Sequence, residues 1–142
     1  MFKVQVSDWP TAREAATRIR FAVFVIEQSV PPELEMDELD LDCEHALVFE
    51  HEGNAIATGR LLPDGHIGRM AVLAPWRGKG VGAAVLARLV TRARERGFSS
   101  VVLNAQTQAI GFYVKQGFVA YGEEFMEAGI PHVAMRLQFL KG

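Results

Sequence analysis

The chain of 142 residues has a single cysteine, Cys43, so that no disulfide can form within it. No Cys/His spacing resembles a zinc site, and no apolar run approaches the ~18–20 residues needed to cross a bilayer. The N-terminal residues lack the basic and then apolar pattern of a secretory signal. These absences predict a soluble, reduced, cytoplasmic protein that binds no metal.

Charge is distributed unevenly along a chain whose formal net charge is −2. Every charged residue from Glu27 to Glu44 is acidic, whereas most charged residues from Arg60 to Arg96 are basic. This asymmetry predicts an anionic partner on one side and favours a cationic one on the other. Nucleic acid is not expected, because the basic residues have no interleaved aromatics and the acidic segment would repel a polyanion.

Hydrophobic periodicity predicts a single domain over residues 1–142, a length that suits one hydrophobic core. Thr11 and Glu14 read as a capping box that opens the first helix. Helices are predicted at residues 11–27, 81–96 and 108–116, and strands at residues 2–6, 45–51, 55–62, 67–73, 100–103 and 133–140. Because hairpins and β-α-β units both occur, the fold class is α/β or α+β, with a mixed sheet and helices on both faces.

The most informative segment runs from Arg77 to Gly82 and reads Arg-Gly-Lys-Gly-Val-Gly, between a predicted strand and a predicted helix. Its three glycines let the backbone turn tightly and bring N–H groups close to a ligand. The helix that follows adds its unpaired N-terminal N–H groups and the positive end of its dipole. With Arg77 and Lys79, this arrangement predicts a site for a phosphate or pyrophosphate.

Three classes of phosphate ligand compete for such a loop. A Walker A site needs Ser or Thr directly after the lysine, and here Gly80 follows Lys79. A dinucleotide fold fits the loose pattern of Gly78, Gly80 and Ala83, but it needs an acidic residue at the end of the next strand, where Asn104 stands. The third class is coenzyme A.

Arg77, Gly80 and Gly82 match the pyrophosphate loop Gln/Arg-x-x-Gly-x-Gly/Ala, and the chain here resembles the GNAT superfamily of N-acetyltransferases. Residues 103–118 are similar to its fifth strand, fourth helix and tyrosine-bearing segment. Residues 20–31, 104–106 and 129–135 resemble the ElaA/YjcF-like branch. The resemblance covers nearly the whole chain and implies a sheet splayed open between the fourth and fifth strands.

The resemblance also implies which residues contact acetyl-CoA. Separated strands leave backbone groups that the amides of pantetheine can bond, and the N–H groups of the loop would hold the pyrophosphate. The candidate cofactor-binding residues are Met70, Ala71, Val72, Arg77, Gly78, Lys79, Gly80, Val81, Gly82, Asn104, Phe112 and Tyr113. Lys79 could instead be a solvated cation of the turn.

Acyl transfer to an amine requires a neutral amine, a polarised carbonyl and protonation of the departing thiolate. Tyr113 is the candidate acid, because a phenol of pKa ~10 lies close to a thiol of pKa ~8.5. Its alternative role is packing beside Phe112. Asn104 either orients the acyl group or caps the following helix.

The base and the acceptor site are left open. An alkyl amine of pKa ~10.4 is neutral only about once in 2,500 molecules at pH 7, so that a side chain or water must take its proton. Many members of the superfamily carry Glu on the fourth strand, where this chain has Gly68 and Arg69. The candidate bases are Glu27, His132 and His45, and a chain of waters is the alternative. The candidate acceptor-binding residues are Glu27, Arg69 and His132, although Arg69 could instead pair with the acidic segment.

The sequence thus predicts an acetyl-CoA-dependent N-acetyltransferase that acts on a primary amine of a small molecule or peptide by direct attack. Cys43 is not expected to carry the acyl group, since nothing near it in the sequence activates a thiol. The expected partners are acetyl-CoA and the amine, with no nucleic acid, no membrane and a possible homodimer. The alternative is a non-catalytic acyl-CoA-binding or interaction module on the same fold.

Overall fold

The computed structural model describes residues 2–139 of the chain. The strands are β1 Phe2–Ser7, β2 Glu44–Glu50, β3 Ala55–Leu61, β4 Ile67–Val72, β5 Ser100–Gln106, β6 Val119–Glu127 and β7 Ile130–Gln138. The helices are α1 Trp9–Arg20, α2 Pro32–Glu35, α3 Val81–Glu95 and α4 Ile110–Lys115. A π-helical segment, Phe21–Glu27, continues α1. Within residues 2–139 no helix has the length and apolar character needed to span a membrane.

The strands form two antiparallel sheets that lie side by side, in the orders β1-β2-β3-β4 and β5-β7-β6. A parallel bridge between His66 and Val102 joins them where β4 begins, and the Val102 N–H donates to the Gly65 carbonyl at 3.1 Å. Beyond this point no strand pairing links β4 to β5 within residues 2–139. The prediction of a sheet splayed between the fourth and fifth strands is confirmed.

Helices cover both faces of the four-stranded sheet. Because side chains alternate along a strand, Ala46 and Val48 of β2 pack in the cluster that contains the buried face of α3. Leu47 points the other way and packs in the cluster that contains Ala12, Ala16 and Ile19 of α1. The predicted α/β class, with helices on both faces, is therefore confirmed.

The first helix starts earlier than predicted, and its N-cap is Asp8. A side-chain oxygen of Asp8 accepts a hydrogen bond from the Thr11 N–H at 3.0 Å, and Pro10 lies in the first turn of the helix. The aspartate caps the helix, and the proline presets the backbone φ angle that the first turn needs. The interpretation of Thr11 and Glu14 as a capping box was wrong.

The three-stranded sheet differs most from the prediction. β6 was not predicted, and β5 continues to Gln106, three residues beyond its predicted end. β6 is an edge strand whose residues are nearly all exposed, so that it shows no alternation of polar and apolar residues. The last strand begins at Ile130, earlier than predicted, and Leu140, its predicted last residue, lies outside the described residues.

Candidate functional site

A cavity of about 610 Å³ opens between β4 and β5, where the two sheets separate. This size suits a small ligand. Its lining includes Arg69 and Met70 of β4, Asn104 and Gln106 of β5, Tyr113 of α4, Glu127 of β6 and His132 of β7. Glu35, Asp37 and Arg60 close the side nearest the acidic segment. Among residues 2–139, no cluster of His, Cys, Asp and Glu is arranged to hold a metal ion.

The glycine loop joins β4 to α3 with its backbone in the left-handed region. The φ angles of Gly78 and Gly80 are +75° and +81°, a conformation that strains any residue with a Cβ. Gly80 is the N-cap of α3 and has no side chain to satisfy the first N–H groups of the helix. From Gly78 to Gly82, no N–H donates to a backbone carbonyl within residues 2–139. Five consecutive amides are thus available to a ligand.

Arg77 and Glu27, predicted for different tasks, lie together. Nη1 and Nη2 of Arg77 donate to the two carboxylate oxygens of Glu27 at 2.8 and 2.9 Å, and Nε donates to the Val72 carbonyl at 2.9 Å. Glu27 does not line the cavity, although its neighbour Gln28 does. This geometry gives no support to Glu27 as a base or acceptor contact, nor to the Val72 carbonyl as a partner for pantetheine.

The other predicted cofactor residues border the loop. The ammonium of Lys79 lies 5.5 Å from the ring centre of Trp76, and its side chain is otherwise exposed. A Cβ placed on Gly82 would lie 3.7 Å from Phe112, so that the aromatic ring packs against the first turn of α3. β4 is the edge of its sheet. The Leu73 N–H donates to the Ile56 carbonyl beside β3, so by alternation the backbone of Ala71 also points toward β3, while that of Met70 points to the gap.

Tyr113 lies in the cavity wall. Its hydroxyl is 3.9 Å from Sδ of Met70, and its ring contacts Phe112 and Phe118 edge-on, with ring centres 5.0 and 6.0 Å away. Burial raises the pKa of Tyr113 to about 12. The hydroxyl therefore stays protonated at neutral pH and can donate a hydrogen bond. Full proton transfer to a thiolate of pKa ~8.5 is less balanced than the sequence suggested.

Asn104, His132 and Glu127 form a polar group on the β5–β7 side of the cavity. Nδ1 of His132 lies 2.7 Å from the Ile130 carbonyl, which can only accept, so that Nδ1 carries a hydrogen. In the neutral ring Nε2 is then an unprotonated acceptor, and it lies 3.7 Å from Oε2 of Glu127. The Asn104 amide reaches the other Glu127 oxygen at 3.4 Å. His132 is buried beside Phe125 and lines the cavity.

The structure argues against one predicted role of Asn104 and against the predicted role of His45. Asn104 does not cap a helix, because β5 continues two residues beyond it. His45 does not line the cavity, and its ring packs on Trp9 with its Nε2 2.8 Å from the Asp40 carbonyl. Burial lowers the pKa of His45. A catalytic role for His45 gains no support from its position.

Six charged side chains, four of them buried and two half-buried, form a network between the acidic segment and the sheet, which we call the ion network: Arg20, Arg60, Arg69, Glu35, Asp37 and Asp40. Arg60 donates to Asp37 through both Nη atoms at 2.8 Å and to Asp40 at 2.9 Å. The hydrogen bond from Arg60 lowers the pKa of Asp37 to about 2. Arginines thus neutralise these three carboxylates of the acidic segment.

Arg69 belongs to the ion network and has an unusual backbone. Its φ is +49° in the middle of β4, beside the irregular pairing with β3. Arg69 donates to Asp37 at 3.1 Å and to the Glu35 carbonyl at 3.2 Å. The pairing with the acidic segment that the sequence left open is present, while Arg69 also lines the cavity.

The family model of the acetyltransferase (GNAT) domain matches residues 11–139 of the chain. The chain belongs to the GNAT family of acetyltransferases. It is 43% identical over 121 residues to the uncharacterised N-acetyltransferase YjcF of Bacillus subtilis, covering 82% of this chain and 86% of the relative.

Solved structures agree with this assignment. An acyl-CoA N-acyltransferase from Pseudomonas aeruginosa superposes with a TM-score of 0.85 at 31% identity, covering 96% of this chain and 99% of that chain. Escherichia coli ElaA gives a TM-score of 0.85 at 28% identity, covering 97% and 100%. The resemblance to the ElaA/YjcF-like branch is confirmed, and the protein is an acyltransferase of a family that uses acetyl-CoA.

Sequence reasoning missed several polar residues of this GNAT enzyme's cavity, and among them is Glu127. It ends β6, the strand that was not predicted, and a short turn at Ala128 and Gly129 brings β7 and His132 back beside it. The available signal was the Ala-Gly pair between two segments of strand-forming residues, which marks a hairpin. A hairpin there would have placed Glu127 and His132 on adjacent strands.

Proposed function

We propose that this GNAT enzyme transfers the acetyl group of acetyl-CoA directly to a primary amine of a small molecule or peptide. The observation that carries the proposal is the set of unpaired amides from Gly78 to Gly82 beside a cleft that holds both Tyr113 and His132. An anion-binding loop, an open strand edge, a hydroxyl donor and an unprotonated imidazole nitrogen are the parts that such a transfer needs.

The loop and the edge of β4 would hold the cofactor. The amides from Gly78 to Gly82 bind the pyrophosphate, each contact at the helix N-terminus contributing about 0.3–1 kcal/mol. Pantetheine bonds the backbone of Met70, since the Val72 carbonyl already accepts from Arg77 and the backbone of Ala71 points toward β3. Arg77 acts by its field and by fixing the loop, because all three of its nitrogens are engaged.

The amine is deprotonated and attacks within the cavity. Nε2 of His132 takes one proton from the ammonium, and the freed lone pair forms the C–N bond at the thioester carbonyl carbon. The nitrogen loses its second proton to solvent as the neutral amide forms. The C–S bond breaks, and the thiolate leaves with the electron pair while Tyr113 donates a hydrogen bond to it. Because the pKa of Tyr113 is about 12, the thiolate receives its final proton from solvent.

Direct attack is favoured over a covalent acyl-enzyme by the state of Cys43. Its thiol is buried, and burial raises its pKa to about 11, so that almost no thiolate exists at neutral pH. Cys43 does not line the cavity. Cys43 is therefore not placed to form an acyl-enzyme intermediate before the amine attacks.

Two assays with the purified protein test the proposal. Acetyl-CoA at 100 times its Kd should stabilise the fold by about 2.7 kcal/mol, seen as a thermal shift. Thiol release is then followed over a panel of primary amines, with Tyr113→Phe as the control. Binding without thiol release from any amine would favour the non-catalytic module, and no thermal shift would contradict both functions.

A further inference from the structure

Two hydrogen-bond acceptors face each other in the cavity with no donor between them. Oε2 of Glu127 and Nε2 of His132 are 3.7 Å apart, too far for a direct hydrogen bond. Nε2 carries no hydrogen in the neutral ring, because Nδ1–H is committed to the Ile130 carbonyl at 2.7 Å. Within residues 2–139, no other side chain donates to either atom. The pair therefore suits a ligand that donates at least two hydrogens.

The charge of the cavity singles out Glu127. The other two carboxylates in its wall, Glu35 and Asp37, are paired with arginines of the ion network, whose three positive and three negative charges cancel. Among residues 2–139, Glu127 has no lysine or arginine within salt-bridge distance. Its side chain is 49% exposed, so that it remains accessible from the cavity mouth. The uncompensated negative charge of the site lies on Glu127.

We propose that Glu127 binds the protonated amine of the acceptor and makes the enzyme selective for cationic alkylamines. An ammonium has three N–H donors, so that it can donate one to Oε2 of Glu127 and one to Nε2 of His132. The proton shared with His132 moves to Nε2, and Glu127 stabilises the imidazolium that results. An amine whose chain ends in a carboxylate is disfavoured, since that charge is repelled by Glu127 in a confined site. This inference rests on the proposed N-acetyltransferase activity.

The kinetic test replaces the carboxylate with its neutral isostere. Glu127→Gln should raise the KM for n-butylamine about tenfold or more, because the ammonium then donates to a neutral amide oxygen in place of a carboxylate. The KM for acetyl-CoA should stay unchanged. The wild-type preference for n-butylamine over 4-aminobutyrate, an amine of the same chain length, should shrink. The matched control is Glu124→Gln, an exposed residue of the same strand outside the cavity, which should behave as wild type.

A binding measurement separates this inference from the proposed function. Titration with n-butylammonium should shift the His132 ring resonances in a saturable way in the wild type and in Glu124→Gln, whereas Glu127→Gln should need about ten times the concentration or more for the same shift. If the wild type acetylates amines and Glu127→Gln keeps its KM and its preference, the role of Glu127 is overturned while the activity stands. If no amine is acetylated, the proposed function fails, and the absence of a shift in the wild type would overturn the amine site itself.

Discussion

At the scale of single residues, the phenol of Tyr113 has a proposed catalytic role and little structural role. Among residues 2–139, the one hydrogen-bond partner of its hydroxyl is the Met70 sulfur, at 3.9 Å. Tyr113→Phe should therefore lower kcat about 100-fold or more, while it changes the free energy of unfolding by less than about 1 kcal/mol. Thiol-release kinetics and urea unfolding measure the two effects. Tyr121→Phe, in exposed β6, is the control, and an unchanged kcat in Tyr113→Phe would refute the assignment.

The thiol of Cys43 should be inert in the folded protein. Its Sγ donates to the Leu39 carbonyl, and burial raises its pKa to about 11. Because the thiolate is the reactive form, iodoacetamide at pH 8 should label Cys43 far more slowly in the native state than in urea. Mass spectrometry measures both rates, and native labelling at the rate of a free thiol would contradict the burial. The same inertness keeps the background of a thiol-release assay low.

At the scale of elements, the loop ahead of α3 depends on backbone angles that only glycine adopts freely. Gly80 has φ +81°, and alanine there costs about 1–2 kcal/mol or turns the following amides away. We expect Gly80→Ala to weaken acetyl-CoA binding about tenfold or more, measured by calorimetry. Gly111→Ala is the control, because its backbone is not left-handed and a Cβ there meets nothing within 4 Å. Equal affinities in the two variants would contradict the role of the loop.

The elements that could be predicted from the sequence are those with local signals. Short stretches of sequence are enough to indicate the glycine loop, strand β2 and helix α3. The predicted bounds of these elements agree with the structure to within one or two residues. β6 shows no alternation of polar and apolar residues, because its residues are nearly all exposed, and the local signal it offers is the Ala128-Gly129 pair that follows it. Missing β6 also hid Glu127, whose meaning depends on the neighbouring strand that carries His132.

Contacts between distant segments were beyond sequence reasoning. Glu27 and Arg77 are 50 residues apart, and each was assigned a separate role that their mutual hydrogen bonds now make doubtful. The acidic segment was predicted to attract a cationic acceptor through its negative charge, yet three of its carboxylates form salt bridges with arginines of α1, β3 and β4. Charge along a chain shows that partners are needed, but it does not show whether they are internal.

At the scale of the whole molecule, the ion network fastens the acidic segment to the sheet. Asp40 accepts from Arg20 at 2.8 Å and from Arg60 at 2.9 Å, and its side chain is almost fully buried. Asp40→Asn should lower the free energy of unfolding by about 3–5 kcal/mol, because it leaves buried guanidinium charge uncompensated. Urea unfolding measures this loss. Exposed Asp42→Asn should stay within about 0.5 kcal/mol of wild type, and similar losses in both variants would contradict the network.

Acid should weaken the fold through the same network. The pKa of Asp37 is about 2 in the folded protein against an ordinary value of 3.8, so that its ionised form is favoured by folding. This contribution is complete above pH 4 and is lost as the pH falls through 2. Unfolding followed by circular dichroism from pH 6 to pH 2 should show a smaller acid loss in Asp37→Asn than in wild type. Identical pH dependence in the two proteins would contradict the assignment.

The central claim is that the amides from Gly78 to Gly82 grip the diphosphate of acetyl-CoA and aim its thioester into the gap between β4 and β5. The most direct test is an acetyl-CoA titration followed by the ¹H–¹⁵N resonances of these amides in solution. We expect them to shift strongly and to saturate together, while the amides of Gly97 and Gly117, at the ends of α3 and α4, stay in place. Saturable acetyl-CoA binding that leaves the loop amides unmoved would contradict the account.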